Sequence, residues 1–297
     1  MKIVCAWMYT IGKYGFPPSV EGMLKAIKDM GEMGFQFIEL EAVGYENLDQ
    51  VVQAKEKIKE TIEKEELRVS NFAILLPDII SMDEKKRENA FENFERGVET
   101  ARFFESPYVW IDSYLPPLKV KKGFLATDKL VYGQDFKVVI PEGFLWQRFW
   151  NSFVQAVIRC NEIAKKNDIG LLIEPRVGEV ISNSDAMLRL IDCVKDKNFG
   201  VILDVAHQHA QKELIPLSIQ KLGDHLKYVH VADNDGRDNR HLEPGKGTVD
   251  WEEMFRLFKH QQFDGFFAID LEKLPNLRKK FVGVKLFLES YAAKYSI

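Results

Sequence analysis

The chain has 297 residues, 46% hydrophobic and 29% charged, with a formal net charge of −4 and a pI near 6.0. This predicts a soluble globular protein with a large core. It offers no basic excess of the kind that marks a nucleic-acid partner, and no apolar run approaches the ~20 residues needed to cross a bilayer. The three cysteines, Cys5, Cys160 and Cys193, are far apart in apolar contexts without a C-x-x-C. They read as buried thiols of a reducing compartment. The opening MKIVCAWMYT lacks the length and cleavage site of a signal peptide, and a cytoplasmic protein is expected.

In chain order, short β-branched or apolar runs alternate with longer helical patterns. Strands are expected at 2–8, 35–41, 68–75, 108–113, 169–175, 200–206, 226–232 and 265–272. Between them lie helical segments at 19–33, 48–64, 83–104, 146–166, 184–193, 214–222, 250–260 and 275–295. Strict alternation of this kind implies a parallel sheet, and eight units in this length favour a closed (β/α)8 barrel. No G-x-G-x-x-G follows the first strand, which removes the main support for a dinucleotide-binding sheet. Residues 115–145 break the rhythm with alternating apolar and polar residues between turn signals, and predict a β-hairpin inserted after the fourth strand. Its aromatics, Phe124, Tyr132, Phe136, Phe144, Trp146 and Trp150, are too many for a solvated excursion. One domain, residues 1–297, is expected.

In such a barrel the chemistry sits at the C-terminal strand ends. Strand five ends in Glu174. Strand six ends in Asp204, with His207 three residues on. Strand seven carries His230, and strand eight carries Asp270 and Glu272, which share a face by period-two alternation. Four consecutive strands thus bring carboxylates and an imidazole to one rim, a donor set suited to manganese, magnesium, cobalt or zinc. Taken singly, Asp204 reads as a helix N-cap. The stretch YVHVADNDGRDNRHLEPGKGTVDW (228–251) adds Asp233, Asp235 and His241 and a Gly245-Lys246-Gly247 turn, expected to fold back over the rim.

Four motifs give the chain its resemblance to a known family: GFQFIELE at 34–41, the I-E-P of LLIEPRVGE, the D-x-x-H of LDVAHQ, and the H-V-x-D-N-D-G…H…G-x-G…D-W of 230–251. In these it resembles the xylose isomerase-like TIM barrel superfamily of sugar phosphate isomerases and epimerases. That group includes the tagatose/psicose 3-epimerases and the family 2 apurinic endonucleases. The resemblance implies one divalent metal ion held by Glu174, Asp204, His230 and an acid on the last strand. The family's Glu is replaced by Asp270 in the matching Ile-Asp pair, and Glu272 competes for the place. It further implies that His207 contacts substrate hydroxyls, that Arg176 and Glu179 orient substrate, that Arg237 lies one residue from an epimerase arginine, and that Glu39 is an outer acid behind the ligands. Trp7, Tyr9 and Trp110 near strand ends suit either a sugar face or the core. The expected partner is a small sugar or sugar derivative, with a homo-oligomer suggested by the superfamily.

The expected function is a metal-dependent sugar isomerase or epimerase. Glu174 and Asp270 or Glu272 would remove and return the proton next to a carbonyl that the ion polarises, by way of an enediolate. A leaving group beside the carbanion would turn the same start into a keto-sugar or inosose dehydratase, or a keto-glycoside lyase. A tri-zinc apurinic endonuclease would also use His207 and His241, but needs two further histidines from strands three and four, where NFAILL and YVWIDS have none.

Overall fold

The computed structural model describes residues 1–122, 133 and 137–297. Its strands are β1 (Lys2–Cys5), β2 (Phe37–Val43), β3 (Arg68–Leu75), β4 (Tyr108–Asp112), β5 (Lys119–Lys122), β6 (Lys137–Val139), β7 (Gly170–Glu174), β8 (Phe199–Asp204), β9 (Leu226–Val231) and β10 (Phe266–Ile269). The helices are α1 (Met8–Tyr14), α2 (Val20–Glu32), α3 (Gly44–Lys64), α4 (Glu84–Phe103), α5 (Trp146–Lys166), α6 (Ser184–Val194), α7 (Val205–Ala210), α8 (Ile215–Leu222), α9 (Trp251–His260) and α10 (Leu277–Tyr295). Eight strands close a barrel in the order β1-β10-β9-β8-β7-β4-β3-β2, and every neighbouring pair is parallel. This is the (β/α)8 architecture expected from the alternation.

Two differences follow from local chemistry. The first strand ends at Cys5 rather than residue 8, because Met8–Tyr14 folds as α1, closed by Gly15 at φ 95°. Asp204 ends β8 and caps α7, accepting from the His207 N–H at 2.7 Å. Other helices start as their sequences suggest: Ser19, Asp83, Asn183 and Asp250 each accept a backbone N–H of the first turn, which satisfies a donor the helix leaves free. Of the expected insertion, β5 and β6 pair antiparallel; Phe124, Tyr132 and Phe136, between them in sequence, lie outside the described residues. Trp150 is buried and Trp146 is 42% exposed. Cys5 and Cys160 are buried, but Cys193 is exposed on α6, contrary to the reading of three buried thiols.

The barrel interior is a separate apolar cluster from the larger core between strands and helices. It contains Val4, Ala6, Ala73, Trp110, Leu172, Ile202, Tyr228, Phe266 and Ala268, with Phe37 packed against it. Side chains alternate along a strand, so the residue two places further on points the same way. Above Phe37, Trp110, Leu172, Ile202, Tyr228 and Ala268 stand Glu39, Asp112, Glu174, Asp204, His230 and Asp270. Trp110 and Tyr9, weighed as sugar-stacking rings, are 6% and 0% exposed; Tyr9 packs edge-on against Phe281. No helix among the described residues is long and apolar enough to cross a membrane.

Gly97 lets α4 seat directly on β3: a Cβ there would lie 2.8 Å from Ile74 Cδ1 and 3.0 Å from its Cγ2. Gly97→Ala is therefore expected to lose about 1–2 kcal/mol in denaturant melts, overpacking outweighing the gain in helix propensity. Ile74→Val, which removes Cδ1, should recover part of that loss in the double variant. A Gly97→Ala protein more stable than the parent would show that the contact is not tight.

Candidate metal centre

The inward layer at the mouth is charged and almost dry. Glu39, Glu41, Asp112, Glu174, Asp204, His230 and Asp270 are all buried. Register aligns them: Asp112 pairs with Glu174 across β4 and β7, and Asp204 with His230 across β8 and β9. His230 Nδ1 lies 2.5 Å from Glu174 Oε1 and 3.7 Å from Asp204 Oδ2. On the far side of the ring, Nε2 lies 3.0 Å from Glu39 Oε1, whose other oxygen accepts from the Trp7 N–H at 3.1 Å. Glu174, Asp204 and His230 each offer a ligand atom within 4.8 Å of the others. Burial opposes the charge on His230, but Glu174 and Glu39 outweigh it and hold its pKa well above the usual value. Burial pushes the Glu174 carboxyl up to about 7 despite His230. Burial also works against the Asp204 charge, yet the charge on His241 holds its carboxyl well below the usual range.

One cation serves the β4–β7 side. Arg176 donates from Nη1 to Asp112 Oδ2 at 2.8 Å and from Nε to His207 Nε2 at 3.2 Å, and its Nε is 3.5 Å from Glu174 Oε2. Burial opposes its charge, but Asp112, Glu179 and Glu174 together raise its pKa further. Burial, aided by the Asp112 charge, pushes the Glu179 carboxyl up to about 8. Glu179 is no solvated loop charge: its Oε2 accepts from the Tyr114 N–H at 2.8 Å and Ser113 Oγ at 3.1 Å, fixing the segment that follows β4. Burial and the charges of Asp112 and Glu39 likewise push Glu41 up to about 8.

The loop after β9 is held from within. Asp233, fully buried, accepts from Gly245 N, Val249 N and Trp251 Nε1. It also exchanges backbone hydrogen bonds with Leu242. Gly247 fits because a Cβ there would fall 2.1 Å from Asn234 O. Asp235 is exposed and turns the loop tip, accepting from Arg237 N and Asp238 N. The fold-back brings the His241 ring itself into the mouth, a placement that the spacing of the loop did not announce. His241 Nδ1 lies 3.0 Å from Asp270 Oδ2, 3.1 Å from Asp270 O and 4.0 Å from Asp204 Oδ2. Its ring stands edge-on to His207, 5.1 Å between centroids.

The residues picked from sequence thus divide. Glu174, Asp204 and His230 converge, with Arg176 and His207 beside them and Trp110 beneath, its ring 6.0 Å from that of His230. Asp270 is at the mouth, but its Oδ2 is engaged by His241. Glu272 does not join them: Arg240 grips its carboxylate, with Nε 2.7 Å from Oε1. Arg237 is exposed on the loop. Sequence reading passed over Asp112, the acid that anchors Arg176; its signal was its place two residues beyond Trp110 on the same strand face.

A family model described as the xylose isomerase-like TIM barrel matches residues 26–282. The chain belongs to this family. Among curated relatives, fructoselysine 3-epimerase of Escherichia coli O157:H7 is 24% identical over 125 residues, 41% of this chain and 46% of that protein. Inosose dehydratase of Bacillus velezensis is 20% identical over 162 residues, 49% of this chain and 54% of that protein. The chain spans about half the length of the curated relatives it matches. The solved structure of the IOLI protein with a bound zinc atom superposes with a TM-score of 0.70 at 17% identity, covering 99% of both chains. That likeness shows the shared barrel.

The donor set of this family member fits a divalent ion. Asp204 Oδ2, facing His230 and His241, is buried without a hydrogen-bond partner, and a buried orphan acceptor is costly unless a cation or donor meets it. The Glu39–His230 pair is the carboxylate–imidazole arrangement that orients a metal-binding ring. His241 provides a test of the metal-free electrostatics. Burial lowers its pKa, but Asp204 and the hydrogen bond to Asp270 overcome this and push it up to about 9. A raised folded-state pKa adds stability that is complete below the unfolded value, ~6.5, and is lost as pH rises through 9. Metal-free protein is expected to lose stability across that window by at most ~3 kcal/mol from this group. In His241→Gln that part of the slope should vanish; an unchanged slope in urea melts would remove the charge from His241.

Proposed function

We propose that the chain is a divalent-metal-dependent sugar epimerase or isomerase that moves a proton at the carbon next to a ketose carbonyl. The observation that carries this reading is the convergence of Glu174, Asp204 and His230, backed by Glu39, in a dry barrel mouth. These three residues would hold the ion. Asp270 would be the fourth ligand, its Oδ2 already accepting from His241. When bound, the ion would supply Lewis acidity to adjacent substrate oxygens, and manganese, magnesium, cobalt and zinc all suit the donor set.

Glu174 is the residue assigned to take the proton. Burial lifts its carboxyl to about 7 without metal; a cation bound beside it would lower that value and keep it ionised, able to accept a proton. Asp270, from the opposite side of the mouth, would return the proton. Return to the opposite face of the same stereocentre gives an epimer; when the proton leaves C1 instead, return to the former carbonyl carbon gives an aldose. His207 and Arg176 border the same space, and Trp110 closes its floor. The match to an inosose dehydratase supports a second reading with the same first step, in which a leaving group beside the carbanion departs before the proton returns. The apurinic endonuclease reading needs histidines on β3 and β4; the inward positions there are Asn71, Ala73, Trp110 and Asp112.

The test is solvent-deuterium exchange into a panel of ketoses, inososes and 3-keto-glycosides with added manganese. Wild-type protein should exchange one carbon-bound hydrogen of at least one compound, and chelator-treated protein should not. Glu174→Gln should lower the rate about 100-fold or more, and product analysis separates epimer from alkene. Full exchange in Glu174→Gln would dismiss Glu174 as the base. No exchange and no binding of manganese by wild type would sink the whole assignment.

A further inference from the structure

The Arg176–His207 contact has a chemical direction. A guanidinium has donors and no acceptor, so at 3.2 Å from Arg176 Nε the His207 Nε2 must be the acceptor. A neutral imidazole that accepts at one nitrogen carries its proton on the other. That other nitrogen, Nδ1, is buried and without a hydrogen-bond partner. The guanidinium is itself held in place by Asp112 at 2.8 Å, and the His207 backbone is pinned by Asp204 Oδ1 at 2.7 Å. His207 is therefore oriented from both ends.

We propose that Arg176 is a positioning residue: it locks His207 as the neutral tautomer protonated on Nδ1, so that the ring offers one fixed N–H donor to a substrate oxygen beside Glu174. The identity of that oxygen, a carbonyl or hydroxyl that gains charge as the proton leaves, rests on the proposed sugar chemistry; the tautomer does not. A prepared donor of this kind acts like an oxyanion-hole group, stronger as charge develops.

The lock also decides a competing arrangement. Asp204, His207 and His241 offer ligand atoms within 4.8 Å of one another and have the outline of a second cation site. With Nε2 facing Arg176 and Nδ1 protonated, His207 has no lone pair for a metal. One cation site is expected, not two. Arg176 is likewise no free anion receptor, since Asp112 and Glu174 already surround it.

Long-range proton–nitrogen NMR on protein labelled with nitrogen-15 at histidine reads the tautomer directly, with His207→Asn identifying the resonance. Wild type, metal-free and with zinc, should show His207 protonated on Nδ1 alone. Arg176→Met should give a mixture of tautomers, and Arg176→Lys, which keeps a donor, should retain more of the single form. If Arg176→Met does not fold because Asp112 is left uncompensated, Arg176→Met with Asp112→Asn replaces it. In the exchange assay, loss of the lock should lower kcat about tenfold to a hundredfold with KM nearly unchanged. A proton on Nε2 in wild type, a tautomer indifferent to residue 176, an unaltered kcat in the mixed-tautomer variant, or a second zinc that shifts the His207 resonances would each overturn the proposal. Absence of exchange in wild type would instead strike the sugar reading and leave the tautomer to be judged by NMR.

Discussion

Everything at the mouth depends on one constraint: acids placed on the inward faces of parallel strands are denied water. A lone buried carboxylate costs several kcal/mol unless it is paired or protonated. Seven buried acids, Glu39, Glu41, Asp112, Glu174, Glu179, Asp204 and Asp270, border this region. The fixed charge opposing them is Arg176, and the adjustable charges are His230 and His241. The structure resolves the imbalance differently on its two sides. Near β2 and β4, Glu41 and Glu179 are driven toward protonation. Near β8 and β9, Asp204 stays ionised, Glu174 and Glu39 draw charge onto His230, and Asp204 with Asp270 draws it onto His241. Asp204 is the hub, since its Oδ1 caps α7 while its Oδ2 faces both rings.

An aspartate rather than a glutamate at position 270 has a physical sense in this setting. A side chain one methylene shorter reaches less far into the mouth. Here Asp270 accepts from His241 through both its side chain and its backbone carbonyl. The loop after β9 is thereby tied to β10 at the level of the site, and Glu272, facing the same way one step higher, ties the same loop through Arg240 and the His241 N–H. Asp233 secures the base of that loop. The aspartates and glycines that crowd 228–251 therefore divide between turn geometry and anchoring, and the histidines carry the link to the centre.

The barrel was legible in the sequence because each strand is a short apolar run and each helix a longer amphipathic one, separated by caps such as Ser19, Asp83 and Asp250. The charged layer was legible for a related reason. Period-two alternation carries an inward apolar face directly into Glu174, Asp204 and His230, so the position of a polar residue along its strand reveals where it points. The fold-back of 228–251 was expected from its turn residues; what could not be read was which side chains the reversals deliver to the mouth. His241 enters the mouth because Asp233 and Gly247 fold the loop tightly, and no periodicity encodes that. Glu179, read from the resemblance as a substrate neighbour, also bonds the backbone after β4 across 65 residues of sequence, which no local pattern signals. The helix at Met8–Tyr14 was hidden because its apolar residues continue the run of β1 without a break.

Arg176 shows how these levels meet. In the sequence it is one cation after a strand. In the fold it is the only arginine among the described residues that contacts the inward layer, and its partners lie on three different elements: Asp112 on β4, Glu174 on β7 and His207 on α7. Because it can only donate, it assigns roles to all three. Asp112 and Glu174 must be acceptors, and His207 must expose its proton on the opposite nitrogen. A lysine in the same place would supply the charge without the fork that reaches several partners in fixed directions. The chemistry of this centre is thus constrained twice, by strand alternation that decides which side chains reach the mouth, and by one guanidinium that decides which of their atoms give protons and which receive them.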